Sequence, residues 1–243
     1  MPYKRPSVIE KNLNLDYVSE KGRIWLSDQN TLRKLIGILG ILMPPLLLFV
    51  LLIDADYTHP LYSISHYYYT RACGVFVIIV SLLAIFLLIY KGKEVIDFYF
   101  SSIAGLFALC LLMFPTDNIT DVYDPRHIIV VTVLKESPLR THFHYISAAI
   151  FLSCLAYMSL FLFTKSDKNA IARGKAKRRR NRIFRCCGVI MILAILVISA
   201  NFVGWISNDV FTKYHLTFWM ETLAIESFGV SWLVKAQVIL KDS

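Results

Sequence analysis

The chain reads as an all-α polytopic membrane protein, a six-transmembrane-helix bundle with both termini cytoplasmic. Three observations predict it. Hydrophobic residues make up 56% of the 243 positions and charged residues only 18%, well outside the range of ordinary soluble domains. Six apolar runs each approach the ~20 residues that a helix needs to cross a hydrocarbon core of ~30 Å. The basic residues are unevenly shared between the two sides that six crossings define.

The runs are 35–53, 72–90, 98–114, 143–163, 186–206 and 216–234, which make 34–243 the transmembrane domain and 1–33 a cytoplasmic N-terminal segment. That segment is polar and charged, without a short basic start leading into an apolar core, so the first crossing is expected to insert without a cleaved leader. Pro44-Pro45 interrupts this first crossing alone. HIIVVTVL, His127 to Leu134, is too short to cross and rich in β-branched residues, which predicts a loop strand or surface segment.

With an even number of crossings, 21 of the 26 lysines and arginines share a side with the termini. The opposite side keeps Arg71, Arg126, Lys135, Arg140 and Lys213. The basic side is therefore cytoplasmic. Most of the net charge of +9 sits in the 164–185 loop, in IARGKAKRRRNRIFR. Lys177, Arg178, Arg179, Arg180 and Arg182 are expected to meet anionic lipid headgroups there, at ~1 kcal/mol per residue near the surface. A cytoplasmic protein partner at this face is the further expectation. Nothing interleaves aromatics with base-reading groups, so nucleic acid is not expected as a partner. The five cysteines form neither a disulfide framework nor a CxxC zinc pattern, and Asn118-Ile119-Thr120 is a glycosylation sequon that matters only in a eukaryote.

Topology gathers scattered polar residues at one depth. SISHYYYT, Ser63 to Thr70, precedes the second crossing; FPTD, Phe114 to Asp117, ends the third; THFH, Thr141 to His144, opens the fourth; and HLTFWMET, His215 to Thr222, opens the sixth. At 1.5 Å per residue Glu221 lies roughly 7 Å inside this boundary and Glu226 roughly 15 Å. They stand about 140° apart around the helix and cannot share a partner, so Glu221 joins the cluster and Glu226 is a separate buried charge. Glu221 shares its stripe with Ile225, Phe228, Gly229 and Trp232, and the glycine admits a close helix neighbour. Small residues at Gly37 and Gly40 allow the same on the first crossing. On the fourth crossing His144 shares a face with Ser147, Ala148 and Phe151, whereas His142 points away; a hydrogen bond to a neighbouring crossing is the plainest role for His144. Tyr67, Tyr68 and Tyr69, with Trp205 and Trp219, suit an interfacial aromatic belt. Alternation of Ser63, Ser65 and Tyr67 against Ile64, His66 and Tyr68 suits an extended segment laid over the bundle mouth.

SISHYYYT, YKGKEVID, FALCLLMFPT, HFHYISAAIF, LFLFTKS, KRRRNRIFRCCG and FWMETLAIESFGVSWLVKAQ, in this order, resemble an uncharacterised bacterial family of six-crossing membrane proteins with a SISxYYYT-type motif. That family is distantly similar to the damage-regulated autophagy modulator superfamily, whose members are linked to lipid regulation. The resemblance covers roughly residues 30 to 240 and implies a multi-pass protein of a bacterial cytoplasmic (inner) membrane. Ser63, Ser65, Tyr67, Tyr68, Tyr69, Thr70, Pro115, Thr116, His144, Glu221, Gly229 and Trp232 match its motif positions; Glu226 stands where an apolar or aromatic residue is expected.

Three functions fit these residues. The first is a non-enzymatic sensor or regulator that binds a lipid or small amphiphile on the extracytoplasmic side through Ser63, Ser65, His66, Tyr67, Tyr68, Tyr69, Thr116, His144 and Glu221, with no cofactor. The second is an intramembrane zinc-dependent hydrolase with His66, His144 and Glu221 as its catalytic set, and Asp117 as a further possible zinc ligand. The histidine pair at helical spacing found in ceramidase-like hydrolases is absent, and so is any Ser-His-Asp arrangement. The third is a proton- or cation-coupled transporter using Glu221 and Glu226, although inverted repeats are not visible.

Overall fold

The computed structural model describes residues 28–92, 94–119, 129–165 and 174–240. They form α1 (Gln29–Ala55), a 3₁₀ helix (Ile64–Tyr69), α2 (Cys73–Ile89), α3 (Val95–Met113), α4 (Pro138–Tyr157), α5 (Lys175–Phe202), the short α6 (Asn208–Tyr214) and α7 (Leu216–Lys235). Each of the six apolar runs lies mainly on one of the six long helices. Four of these, α1, α3, α4 with its extension to Leu162, and α5, are long and apolar enough to cross a membrane. The apolar α2 is shorter, at 17 residues, and α7 has 20 residues interrupted by Glu221 and Glu226.

Local chemistry sets the helix ends. Asp28 caps α1 by accepting the amides of Asn30 and Thr31, and Ser137 caps α4 by accepting that of Arg140, with Pro138 in the first turn. Glu94 and Asp97 form a reciprocal capping box on α3. His215 joins α6 to α7 in the left-handed region, at φ 49°. Pro44 and Pro45 lie inside α1 without ending it.

The long helices pack as a closed ring in the order α1, α2, α3, α4, α5, α7, with α7 returning against α1. Large apolar side chains such as Ile78, Ile85, Leu106, Ile146, Leu193 and Leu196 point outward and are exposed, the pattern of a bundle whose surroundings are apolar. Glycines set the closest approach. A Cβ on Gly229 of α7 would stand 2.8 Å from the Gly37 carbonyl oxygen and 2.9 Å from the Ile41 nitrogen, and one on Gly40 would stand 3.2 Å from the Gly229 Cα. Gly37, Gly40 and Gly229 thus seat α1 on α7 within this chain.

Three segments differ from what the pattern predicts. SISHYYYT is a 3₁₀ helix instead of an extended strand, and with three residues per turn Tyr62, Ser65 and Tyr68 share the half-exposed side. Tyr67 and Tyr69 are wholly buried, so the interfacial-belt reading fails for these two; Trp205 and Trp219 are exposed. The basic stretch from Lys175 to Arg185 is not loop but the first three turns of α5, because Lys, Arg and Ala are good helix formers that hydropathy ignores. The predicted crossing 186–206 ends four residues early, since α5 ends at Phe202. From HIIVVTVL, Val130 makes a single antiparallel bridge to Thr70, and the amide of Val131 donates to the Tyr69 carbonyl at 2.9 Å. His127 and Ile128 lie outside the described residues, as does the 1–27 part of the N-terminal segment.

Candidate functional site

The ends of α1, α3 and α5 and the starts of α2, α4 and α7 meet at one end of the ring, and the 3₁₀ helix lies across it. The start of α7 and the stretch after α3 pin that segment. Glu221 of α7 accepts the Ile64 amide on Oε2 at 2.6 Å, the Tyr69 hydroxyl donates to the Thr116 carbonyl after α3, and the Tyr62 carbonyl accepts the Phe218 amide at 3.0 Å. Tyr67 packs its ring on Phe218, and Tyr68 meets Tyr69 edge on.

Beneath and beside this lid is a cavity of about 600 Å³. Its polar end carries Ser63, His66, Thr116, Asp117, His144, Tyr145 and Glu221. Its other end is a mostly apolar wall between α4 and α5, with Ile146, Ala149, Leu152, Ile195, Ile198 and Phe202. A second, smaller void of about 50 Å³ lies in the ring interior, lined by Met43, Phe76, Leu83, Phe151 and Ile225 with Ser65 and Ile64 of the lid. Glu221 lines both spaces. At the opposite end of the ring Tyr90, Phe163 and Phe228 crowd Trp232, at ring-centroid distances of 4.8, 5.2 and 5.8 Å.

The polar end is organised by hydrogen bonds. The Ser63 hydroxyl meets His66 Nδ1 at 2.7 Å, and His66 Nε2 stands 3.9 Å from an Asp117 carboxylate oxygen. Asp117 accepts the Thr116 hydroxyl at 2.7 Å and the Tyr145 hydroxyl at 2.9 Å. Burial pushes the His66 imidazole down to about 4, against the pull of Asp117, so the ring is neutral at neutral pH. Burial alone would raise the Asp117 carboxyl, but the Thr116 hydroxyl, His66 and the Tyr145 hydroxyl together hold it below its ordinary value. His144 is buried and pairs its Nδ1 with the Phe114 carbonyl at 2.9 Å, a link from α4 to the end of α3; His142 is exposed and bonds Pro138 within its own helix.

Of the residues singled out from sequence, Ser63, His66, Thr116, His144 and Glu221 line the cavity together. Ser65 lines the inner void, while Tyr67, Tyr68 and Tyr69 build the lid behind it. Glu226 is half-buried and lines neither space. Among the described residues no group of three or more His, Cys, Asp or Glu is placed to hold a metal ion, so the proposed zinc set of His66, His144, Glu221 and Asp117 does not fit one. At the far end of the molecule Arg178, Arg179 and Arg182 are exposed, whereas Arg180, expected to be free for headgroups, is buried and donates to the Leu240 carbonyl at 3.0 Å. The Lys177 amine donates to the Phe163 carbonyl at 3.1 Å. The Asn118 side chain is clasped by Leu134, donating to its carbonyl at 2.7 Å and accepting its amide at 3.0 Å, so the sequon nitrogen is already engaged.

The sequence places Asn201, at the end of the fifth crossing, at this depth, but not the rest of the wall that α5 and α6 supply. Ser199, Asn201, Asn208, Phe211 and Thr212 all line the cavity. The signal present was the Ser-Asn-Asp start of α6, a helix-opening composition in what reads as a short loop. No protein-family model, curated protein or solved structure matches the chain.

Proposed function

We propose that the protein is a six-crossing membrane protein with both termini cytoplasmic, and that it binds a lipid or other small amphiphile in the cavity beneath SISHYYYT as a sensor or regulator. The observation that carries this reading is the cavity's two-ended chemistry. Hydrogen-bonding groups from four separate segments meet at one end, and an apolar wall between α4 and α5 forms the other. A head group and a chain would each find their own surroundings there. The exposed Ile146 and Phe202 stand where the cavity meets the outside of the ring, the side from which a lipid chain would enter.

The ring supports a count of six crossings, since α2 and α7 pack between helices that are long and apolar enough to span. The basic start of α5 supports placing that end of the ring in the cytoplasm, and thus the cavity on the extracytoplasmic side of a bacterial inner membrane. The resemblance to an uncharacterised six-crossing bacterial family, itself distantly similar to a superfamily linked to lipid regulation, also supports this reading. The aromatic plug around Trp232 closes the ring opposite the cavity, which favours binding over a path through the bundle.

Native mass spectrometry of protein purified in a neutral detergent tests the proposal. A co-purified amphiphile is expected on the parent protein and is expected to be lost from Glu221→Ala. A parent protein with no such adduct, or an adduct indifferent to the substitution, counts against it.

A further inference from the structure

Resting on the reading of this cavity as an amphiphile site, its lining also indicates the charge of the head group. Among the described residues the polar end contains two carboxyl groups, Asp117 and Glu221, and no lysine or arginine. This is unexpected in a chain of net charge +9. The nearby Arg140 guanidinium does not line the cavity and donates instead to the carbonyls of Pro115, Thr116 and Lys135. His66, the histidine facing Asp117, is neutral at neutral pH because burial disfavours its charged form. The Ile64 amide engages Glu221 at Oε2, leaving the second oxygen for the spaces the residue lines.

Aromatic rings complete the arrangement. Tyr62, Tyr145 and Phe211 line the same cavity, and the Tyr62 ring stands 5.9 Å from His66 and 6.2 Å from His215, centroid to centroid. Carboxylates alongside aromatic faces, without a competing cation, are the surroundings that stabilise an ammonium or quaternary ammonium group. An anionic head group would meet the Asp117 carboxylate, the Glu221 carboxyl and, among the described residues, no fixed positive charge. We infer that the cavity selects amphiphiles whose head group carries a positively charged nitrogen, with the Asp117 carboxylate as its counter-charge, the Glu221 carboxyl as a further acceptor and the chain lying along the α4 and α5 wall.

Three probes of equal chain length separate this inference from the reading beneath it. Hexadecyltrimethylammonium, hexadecanol and hexadecyl phosphate are titrated separately against the full-length protein in neutral maltoside micelles, with occupancy read by native mass spectrometry. The cationic probe is expected to bind at least about tenfold tighter than the phosphate, against the attraction that the net positive charge of the chain gives the latter. In Asp117→Asn with Glu221→Gln, which keeps the acceptors for Thr116, Tyr145 and Ile64, that preference is expected to vanish while hexadecanol binding persists and reports an intact site. Equal or tighter phosphate binding by the parent overturns the inference and leaves the amphiphile site standing. A preference that survives in the double variant also overturns it, because the selectivity then lies elsewhere. Failure of all three probes to bind overturns both.

Discussion

Replacing Gly229 by alanine puts a methyl group where α1 and α7 meet. The added Cβ would sit 2.8 Å from the Gly37 carbonyl oxygen, 2.8 Å from Ile41 Cγ1 and 2.9 Å from the Ile41 amide nitrogen, whereas ordinary contact begins at 3.4 Å. Two of these three atoms are backbone and cannot rotate away. The helices must therefore part by about 0.6 Å, the difference between 3.4 and 2.8 Å. A gap of ~0.5 to 1 Å forfeits a quarter to a half of each van der Waals contact, and in an apolar solvent such packing is a main force joining helices. Overpacking of this kind costs about 1 to 3 kcal/mol. Gly74→Ala is the control, because a Cβ there meets nothing within 4 Å. Unfolding in mixed micelles, followed by the fluorescence of the buried Trp232 among the tryptophans, should show Gly229→Ala destabilised by this amount and Gly74→Ala unchanged or slightly stabilised. Equal stability of the two variants would refute the close seat of α1 on α7.

The lid and the polar end make further predictions. His66 has its pKa depressed in the folded protein to about 4 from 6.5, so the unfolded chain takes up a proton first as pH falls. Its contribution is complete above about pH 6.5 and lost between there and pH 4, amounting to ~3 kcal/mol at most. Thermal melting at pH 7 and pH 5 should show about 2 kcal/mol of this loss in the parent and much less in His66→Gln. Removing the Glu221 carboxylate in Glu221→Ala leaves the Ile64 amide without its acceptor, which costs about 1 to 3 kcal/mol for a buried donor. Glu221→Gln keeps an acceptor and should lose less. Equal losses in melting assays would mean that the bond between lid and α7 contributes little.

Much of the site was legible because topology alone sets depth. Thr116, His144 and Glu221 lie at or near the ends of different apolar runs, yet alternating crossings bring them to one level, and all three line the cavity with Ser63 and His66. The small residues were equally informative, since Gly37, Gly40 and Gly229 mark where two helices touch. SISHYYYT was misjudged in conformation because eight residues hold too few repeats to tell a period of two from a period of three. Its tyrosines were misjudged for a related reason: the same ring serves an interface or a packed lid, and only the neighbours Phe218 and Thr116 decide. Helical structure in the basic stretch stayed hidden because hydropathy detects crossings and is blind to a charged helix that continues one. The α5 and α6 wall could not be read from pairwise motifs, because its residues are individually ordinary and become a surface only when the ring closes.

The central claim is that an amphiphile occupies the cavity between the polar end and the α4 and α5 wall. Photo-crosslinking with a diazirine-bearing long-chain amine, followed by peptide mass spectrometry, tests it most directly. Labels are expected on the peptides holding Ala149, Leu152, Ile195 and Ile198, and excess hexadecyltrimethylammonium should remove them. Labels confined to outward residues such as Ile78, Ile85 and Leu106, or unaffected by the competitor, would contradict the account.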